Sequence, residues 1–170
     1  QHALLLTLLL AFTVMIVGGV WIFRSRAPIP DQIVGPDGSV LTTAEQIKGG
    51  QAVYQKYGLM DYGTVLGHGS YLGPDYTAEA LHIMTRSMQD YYAEAEYGAP
   101  YGALDAAAQA AVSALVKEEL KQNRYDEATG TLVFSDAQVQ ALEAVRAHYR
   151  SYFKDGNPLA ALPPGLIQEW

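Results

Sequence analysis

The chain has no cysteine. Disulfides, thiolate zinc sites, iron–sulfur clusters and haem attached through C-x-x-C-H are therefore excluded. The compartment is not decided by this, since oxidising compartments also house proteins without disulfides. Positive charge is scarce, with 11 Lys and Arg against 18 Asp and Glu. Arg24 and Arg26 stand apart from the rest, so residues 31–170 hold nine basic and all 18 acidic side chains, a formal charge of −9. Nucleic acid is excluded as a partner, because affinity for phosphate backbones comes mainly from Lys and Arg. Charge of either sign is missing from residues 3–23, ALLLTLLLAFTVMIVGGVWIF. No phosphate-cradling G-x-x-x-x-G-K-S/T, no internal repeat and no low-complexity tract is present.

The uncharged run is the first thing that is present. Its 21 residues, at about 1.5 Å rise each, span about 30 Å, the thickness of a bilayer's hydrocarbon core. Trp21 and Phe23 fall where an interfacial aromatic belt would lie. A signal peptide has an apolar region of about 7–15 residues and a small-residue cleavage site. This run is longer and is followed by Arg-Ser-Arg-Ala-Pro, so an uncleaved anchor over residues 1–26 is expected. Gly18-Gly19 would let another helix approach. Orientation stays open on charge alone. Arg24 and Arg26 argue for a cytoplasmic flank, but the chain begins at Gln1 without Met, and residues ahead of it would carry the deciding charges.

The acidic remainder, about 140 residues, is enough for one modest core. Residues 27–43 read as a connector: Ala27-Pro28-Ile29-Pro30 disfavours helix, and Gly35-Pro36-Asp37-Gly38 predicts a hairpin turn between 32–34 and 39–41. Residues 44–170 then form the globular part. Thr43 and Gln46 make a capping-box pattern ahead of a helix over 44–57, with Ile47, Val53, Tyr54 and Tyr57 on its buried face and Gly58 ending it. A stretch rich in glycine and proline follows (Gly58, Gly63, Gly67, Gly69, Gly73, Pro74). Such a loop costs much entropy to order, and exists where backbone must approach something closely or turns need positive φ. Asp75 or Thr77 caps a helix over 78–97 with Leu81, Met84, Met88, Tyr91 and Tyr92 at helical spacing, broken at Gly98. Asp105 caps a helix ending near Asn123; residues 125–134 read as a short hairpin. Ser135 caps a last helix over 136–153 striped by Val139, Leu142, Val145, Tyr149 and Tyr152, which Gly156 and Pro158 stop. The fold class is mainly α: one transmembrane helix, then three or four helices with short β-hairpins, the size and rhythm of a cytochrome c domain.

Few residues could carry chemistry. The four histidines include no pair at i, i+3 or i+4. His2 reads as interfacial and His148 as a solvated residue on the polar side of the last helix. His82, within Ala80-Leu81-His82-Ile83-Met84, reads as half-buried and hydrogen-bonded, with a haem ligand or proton relay as the other readings. His68, between Gly67 and Gly69, is either a compact turn residue or a side chain held at an interface beside a cofactor owned by another chain or segment. Glu94 and Glu96 face different sides of a helix, and Glu118-Glu119 reads as a solvated face. Most of the 12 tyrosines are expected in core or interface packing. No catalytic residue is assigned. The chain reads as an anchored accessory domain that packs on something larger.

Residues 67–82, GHGSYLGPDYTAEALH, closely resemble the segment after the first membrane helix of quinol-dependent nitric oxide reductases. So do 29–32 (IPDQ), 125–132 (YDEATGTL) and 144–149 (AVRAHY), in order along nearly the whole chain. These enzymes belong to the haem–copper oxidase superfamily. The resemblance implies one transmembrane helix and a periplasmic cytochrome c-like domain that has lost its haem, on the outer face of the bacterial inner membrane. The missing cysteines fit that version. It further implies a twelve-helix catalytic body, in the same chain or in a separate one. That body would hold haem b, haem b3 and non-haem iron and take electrons from quinol to reduce two NO to N2O; the segment alone would hold no cofactor. A calcium ion bridging the haem propionates would take the backbone carbonyl of Tyr71, in Gly69-Ser70-Tyr71, as one ligand, consistent with the preference of Ca²⁺ for oxygen donors; the other reading of Tyr71 is a packing aromatic. His68 would lie near the propionates, as a hydrogen-bond donor. The chain stops at Trp170, about where the family's next membrane helix would begin. The same module in a nitric oxide dismutase-like relative, a membrane-anchored periplasmic interaction protein and a noncovalent haem carrier are the competing readings.

Overall fold

A computed structural model of the chain describes residues 2–25 and 27–168. The expectations for Gln1, Arg26 and Trp170 lie outside the described residues. Helix α1, His2–Ser25, contains the whole uncharged run, and none of its residues is buried. Thr7 and Thr13 each return their hydroxyl to the carbonyl four residues back, Ala3 and Leu9, so the only hydroxyls within the run are satisfied inside the helix.

Two strands follow, β1 (Gln32–Val34) and β2 (Val40–Thr43), antiparallel around the turn at 35–38 with an irregularity between Ile33 and Val34. Helix α2, Ala44–Lys56, starts at Thr43, where the capping box forms in full: Thr43 Oγ1 accepts from the Gln46 amide and Gln46 Oε1 accepts from the Thr43 amide. Gly58, left-handed at φ 58°, ends it and opens a 3-10 turn over Leu59–Tyr62. The glycine-rich stretch is then not an open loop but a small hairpin, β3 (Thr64–Val65) with β4 (His68–Gly69).

Helix α3 runs Tyr76–Tyr97, starting two residues before the predicted 78 because Asp75 is the cap: its Oδ1 accepts from the amides of Thr77 and Ala78. Gly98 closes it in the left-handed conformation. Helix α4 (Ala106–Lys121) begins at Asp105, and α5 (Asp136–Asp155) at a second complete capping box, Ser135 with Gln138. Between them β5 (Tyr125–Asp126) and β6 (Thr131–Val133) pair antiparallel.

One pairing has no local signal. β1 lies parallel to β6, Gln32 opposite Thr131 and Val34 opposite Val133, which joins both hairpins into a four-stranded sheet of order β2-β1-β6-β5. The Asp31 amide donates to Gly130 O (2.8 Å) and the Phe134 amide to Val34 O (2.8 Å) at its two ends.

The interior has two parts. In one, α3, α4 and α5 meet around Met88, Val116, Ala137 and Ala141, with Met84, Tyr91 and Tyr92 against them. In the other, Leu59, Phe153, Ala160, Leu162 and Ile167 pack beneath an aromatic group of Tyr54, Tyr76, Tyr149 and Tyr152. Tyr76 stands at its centre, with ring centroids 5.9–6.5 Å from Tyr54, Tyr149, Tyr152 and Phe153. The predicted stripe on α5 is only half-buried; its fully buried positions are Ala137, Ala141 and Phe153, because small side chains let the α3 and α5 backbones approach.

Candidate functional site

The hairpin at 64–69 presents the first of the two residues singled out from the sequence, and the loop after it presents the second. Its turn uses Leu66 and Gly67, both at positive φ. Asp75 ties it to α3: its Oδ2 accepts from the Gly67 amide (2.6 Å) while its Oδ1 caps the helix. These backbone N–H groups, Ala78 first, hold the Asp75 carboxyl below the usual carboxylate range. The Thr64 amide donates to Pro74 O (2.9 Å) and the Ser70 amide to Met60 O (2.9 Å), so the loop is crossed by its own backbone. That is why the glycines are there. A Cβ on Gly73 would overlap the Tyr62 carbonyl, and one on Gly69, at φ 143°, the Gly63 carbonyl. The close approach is backbone to backbone within the loop.

His68 is exposed on β4. Its Nδ1 lies 2.9 Å from Leu66 O; a carbonyl only accepts, so Nδ1 carries a proton and Nε2 is the nitrogen offered outward. Towards an acceptor such as a carboxylate, Nε2 can donate only when the ring is doubly protonated. His68 also edges an open groove of about 660 Å³ between α2 and the hairpin, lined by Ile47, Tyr54, Met60 and Val65 among others. Tyr54 in that groove has its phenol pushed above its usual range by burial and, secondarily, by Asp61.

Tyr71 is fully exposed. Its carbonyl oxygen accepts no hydrogen bond among the described residues. Tyr71 lines a different groove, about 350 Å³, shared with Leu72, Pro74, Glu79, Asn157 and Leu159. His68 and Tyr71 thus share a loop but not a cavity. Exposed Leu66, Leu72 and Leu159 surround them with apolar surface.

Three readings are corrected. His82 is exposed, not half-buried. The stripe of α3 that meets α5 starts at Tyr76, and positions 81 and 82 fall opposite it, which also leaves Leu81 54% exposed. His148 is not a solvated residue: it stacks on Tyr152 at 6.1 Å, and its Nε2 lies 3.3 Å from Glu79 Oε1 across the α3–α5 contact. That approach is an ion-pair distance without hydrogen-bond alignment, and neither His148 Nε2 nor Glu79 Oε2 has a hydrogen-bond partner among the described residues. Glu119, expected on a solvated face, is 6% exposed. Tyr92 and Ser135 donate to its carboxylate and Arg124 Nη1 sits 3.2 Å away. The adjacent Glu118 is exposed; one step of about 100° along the helix separates the two environments. Burial, with the Glu119 carboxylate second, pushes the Tyr92 phenol up to about 12.

No group of three or more His, Asp or Glu side chains gathers at metal-binding distance among the described residues, so any cation here would rely on backbone oxygens or on donors from elsewhere. Among curated proteins no relative matches the chain. Residues 30–170 match the sequence profile of the NorB cytochrome c-like domain of nitric oxide reductase. That stretch takes in the whole sheet, the capped helices and the loop bearing His68 and Tyr71, so the chain belongs to the family of nitric oxide reductase NorB cytochrome c-like domains.

Proposed function

We propose that this chain is the non-catalytic, haem-free N-terminal module or small subunit of a quinol-dependent nitric oxide reductase. It is anchored in the bacterial inner membrane by α1, with its acidic domain in the periplasm. The observation that carries the reading is the family match over residues 30–170. The lack of cysteine supports the haem-free version, since covalent attachment through C-x-x-C-H has no residues to use. The partner body would hold haem b, haem b3 and non-haem iron, and these would supply the redox chemistry by which two NO, two electrons from quinol and two protons give N2O and water. This chain's residues bind and orient at the edge of that centre.

Tyr71 fits a calcium ligand. Calcium takes backbone carbonyl oxygens, and the Tyr71 carbonyl is an unengaged acceptor among the described residues, on a loop held by Asp75. His68 offers Nε2 from the same loop, as a donor to a haem propionate when protonated. The exposed Leu66, Leu72, Tyr71 and Leu159 supply the apolar part of the contact with the body.

Affinity purification of this chain from its native membranes tests the assignment. Haem b absorbance should copurify, together with NO consumption driven by quinol. A stable chain free of any haem protein overturns it, in favour of an anchored interaction protein. Within the complex, Tyr71→Ala keeps the carbonyl and should leave haem spectra near wild type. Tyr71→Pro should shift them and lower activity. Identical spectra and activity in both variants would remove the calcium role and leave the module assignment standing.

A further inference from the structure

We propose that the pocket between the end of α1 and helix α2 holds the phosphate of an anionic glycerophospholipid from the leaflet on the domain's side. The pocket measures about 440 Å³ and is lined by Phe23, Arg24, Ala27, Pro28, Ile29 and Lys48. That size lies within the range of about 300–1,000 Å³ of small-molecule sites. Arg24 comes from the last turn of the apolar helix and Lys48 from the second turn of α2, so two separate elements aim cations at one space. Among the described residues neither side chain has an ion pair or hydrogen bond, and none of those that line the pocket is a carboxylate. This is unusual in a domain where acids outnumber bases two to one.

The remaining lining is apolar. Phe23, Pro28 and Ile29 give the glycerol and the first acyl carbons a surface to lie on, beneath a polar head. The depth agrees as well. Trp21, Phe23 and Arg24 lie at the end of a helix whose uncharged run is long enough to cross the hydrocarbon core, so the pocket falls at headgroup level, where aromatics and long cationic side chains collect. Two uncompensated cations favour a headgroup with net negative charge over a zwitterion, whose ammonium they would repel. The site also gives Arg24 a role other than signalling a cytoplasmic flank.

The proposal rests on α1 spanning the membrane, and the experiment separates the two. Washing membranes with alkaline carbonate should leave the protein in the pellet; release would overturn the span and the lipid site together. The intact protein, with whatever assembles on it, is then reconstituted in nanodiscs of phosphatidylglycerol and phosphatidylethanolamine. After detergent extraction, the lipid retained per chain is measured by mass spectrometry. Wild type should retain phosphatidylglycerol selectively. Each cation at an anionic surface is worth about fivefold, so the double variant Arg24→Gln/Lys48→Gln should lose retention roughly thirtyfold. Arg86→Gln/Lys117→Gln, the same charge change elsewhere, should retain it. Millimolar inorganic phosphate should not displace the lipid. Equal retention in all three proteins, equal retention of phosphatidylethanolamine, or displacement by free phosphate would each overturn the lipid site while leaving the span intact.

Discussion

Glu119 is the residue whose surroundings depart furthest from its sequence context. Its carboxylate gathers Tyr92 from α3, Ser135 from the N-cap of α5 and Arg124 from the segment after α4. Three segments are thereby joined through one buried charge. Removing one partner of such a group leaves the others without a counterpart, at a cost of about 3 kcal/mol. Glu119→Leu should lower stability by that order in urea unfolding followed by circular dichroism. Glu119→Gln, which keeps an acceptor, should cost less. Equal losses would mean that the charge, which both variants remove, outweighs the hydrogen-bond acceptance that Gln retains. Tyr92 carries the pH dependence of this group. Its folded pKa of about 12 lies above the ordinary 10.0, chiefly from burial. The fold therefore favours the neutral phenol. That contribution is complete below about pH 10 and is lost as pH climbs towards 12. Absorbance at the phenolate band should show a late-titrating tyrosine that Tyr92→Phe removes, along with part of the alkaline loss of stability.

Among the elements, helix ends were the most legible features. Thr43, Asp75, Asp105 and Ser135 all cap the helices that their spacing predicts, because a cap is a contact within four residues and needs nothing distant. The two capping boxes nevertheless differ in weight. Thr43 stands in a half-buried position, and its hydroxyl accepts from the Gln46 amide of α2. Ser135 also donates to Glu119. Thr43→Ala should cost about 1 kcal/mol, and Ser135→Ala about 2 kcal/mol, the addition being the lost hydrogen bond to a buried carboxylate. Thermal unfolding of the two variants side by side measures the difference. The glycine-rich segment was legible as special but not in its reason. A glycine signals that space is short, not what fills it, and here the space is taken by the carbonyls of Tyr62 and Gly63.

For the molecule as a whole, α1 and the domain are distinct in chemistry. No residue of α1 is buried, and the domain's cores draw on residues 53–167. A chain starting at Ala27 should keep its far-ultraviolet spectrum per domain residue and its unfolding midpoint, while leaving the membrane fraction. A large drop in midpoint would mean that the domain leans on the helix. The basic end of α1 against an otherwise acidic domain gives the molecule its polarity, and Arg24 with Lys48 is where that polarity meets a pocket.

Local chemistry was sufficient for the uncharged span, the four capped helices, the two flanking hairpins and the family resemblance. Each rests on neighbours in the chain or on motifs read in order. Tertiary structure alone decided the parallel pairing of β1 with β6, the burial of Glu119, the exposure of His82 and the contact of His148 with Glu79. These depend on which face of one element meets another across tens of residues. The resemblance named His68 and Tyr71; the fold added that Asp75 holds their loop, that His68 can offer only Nε2, and that the Tyr71 carbonyl is unengaged among the described residues. A hydrogen-bond acceptor left open is a property of the folded backbone, which no residue type announces.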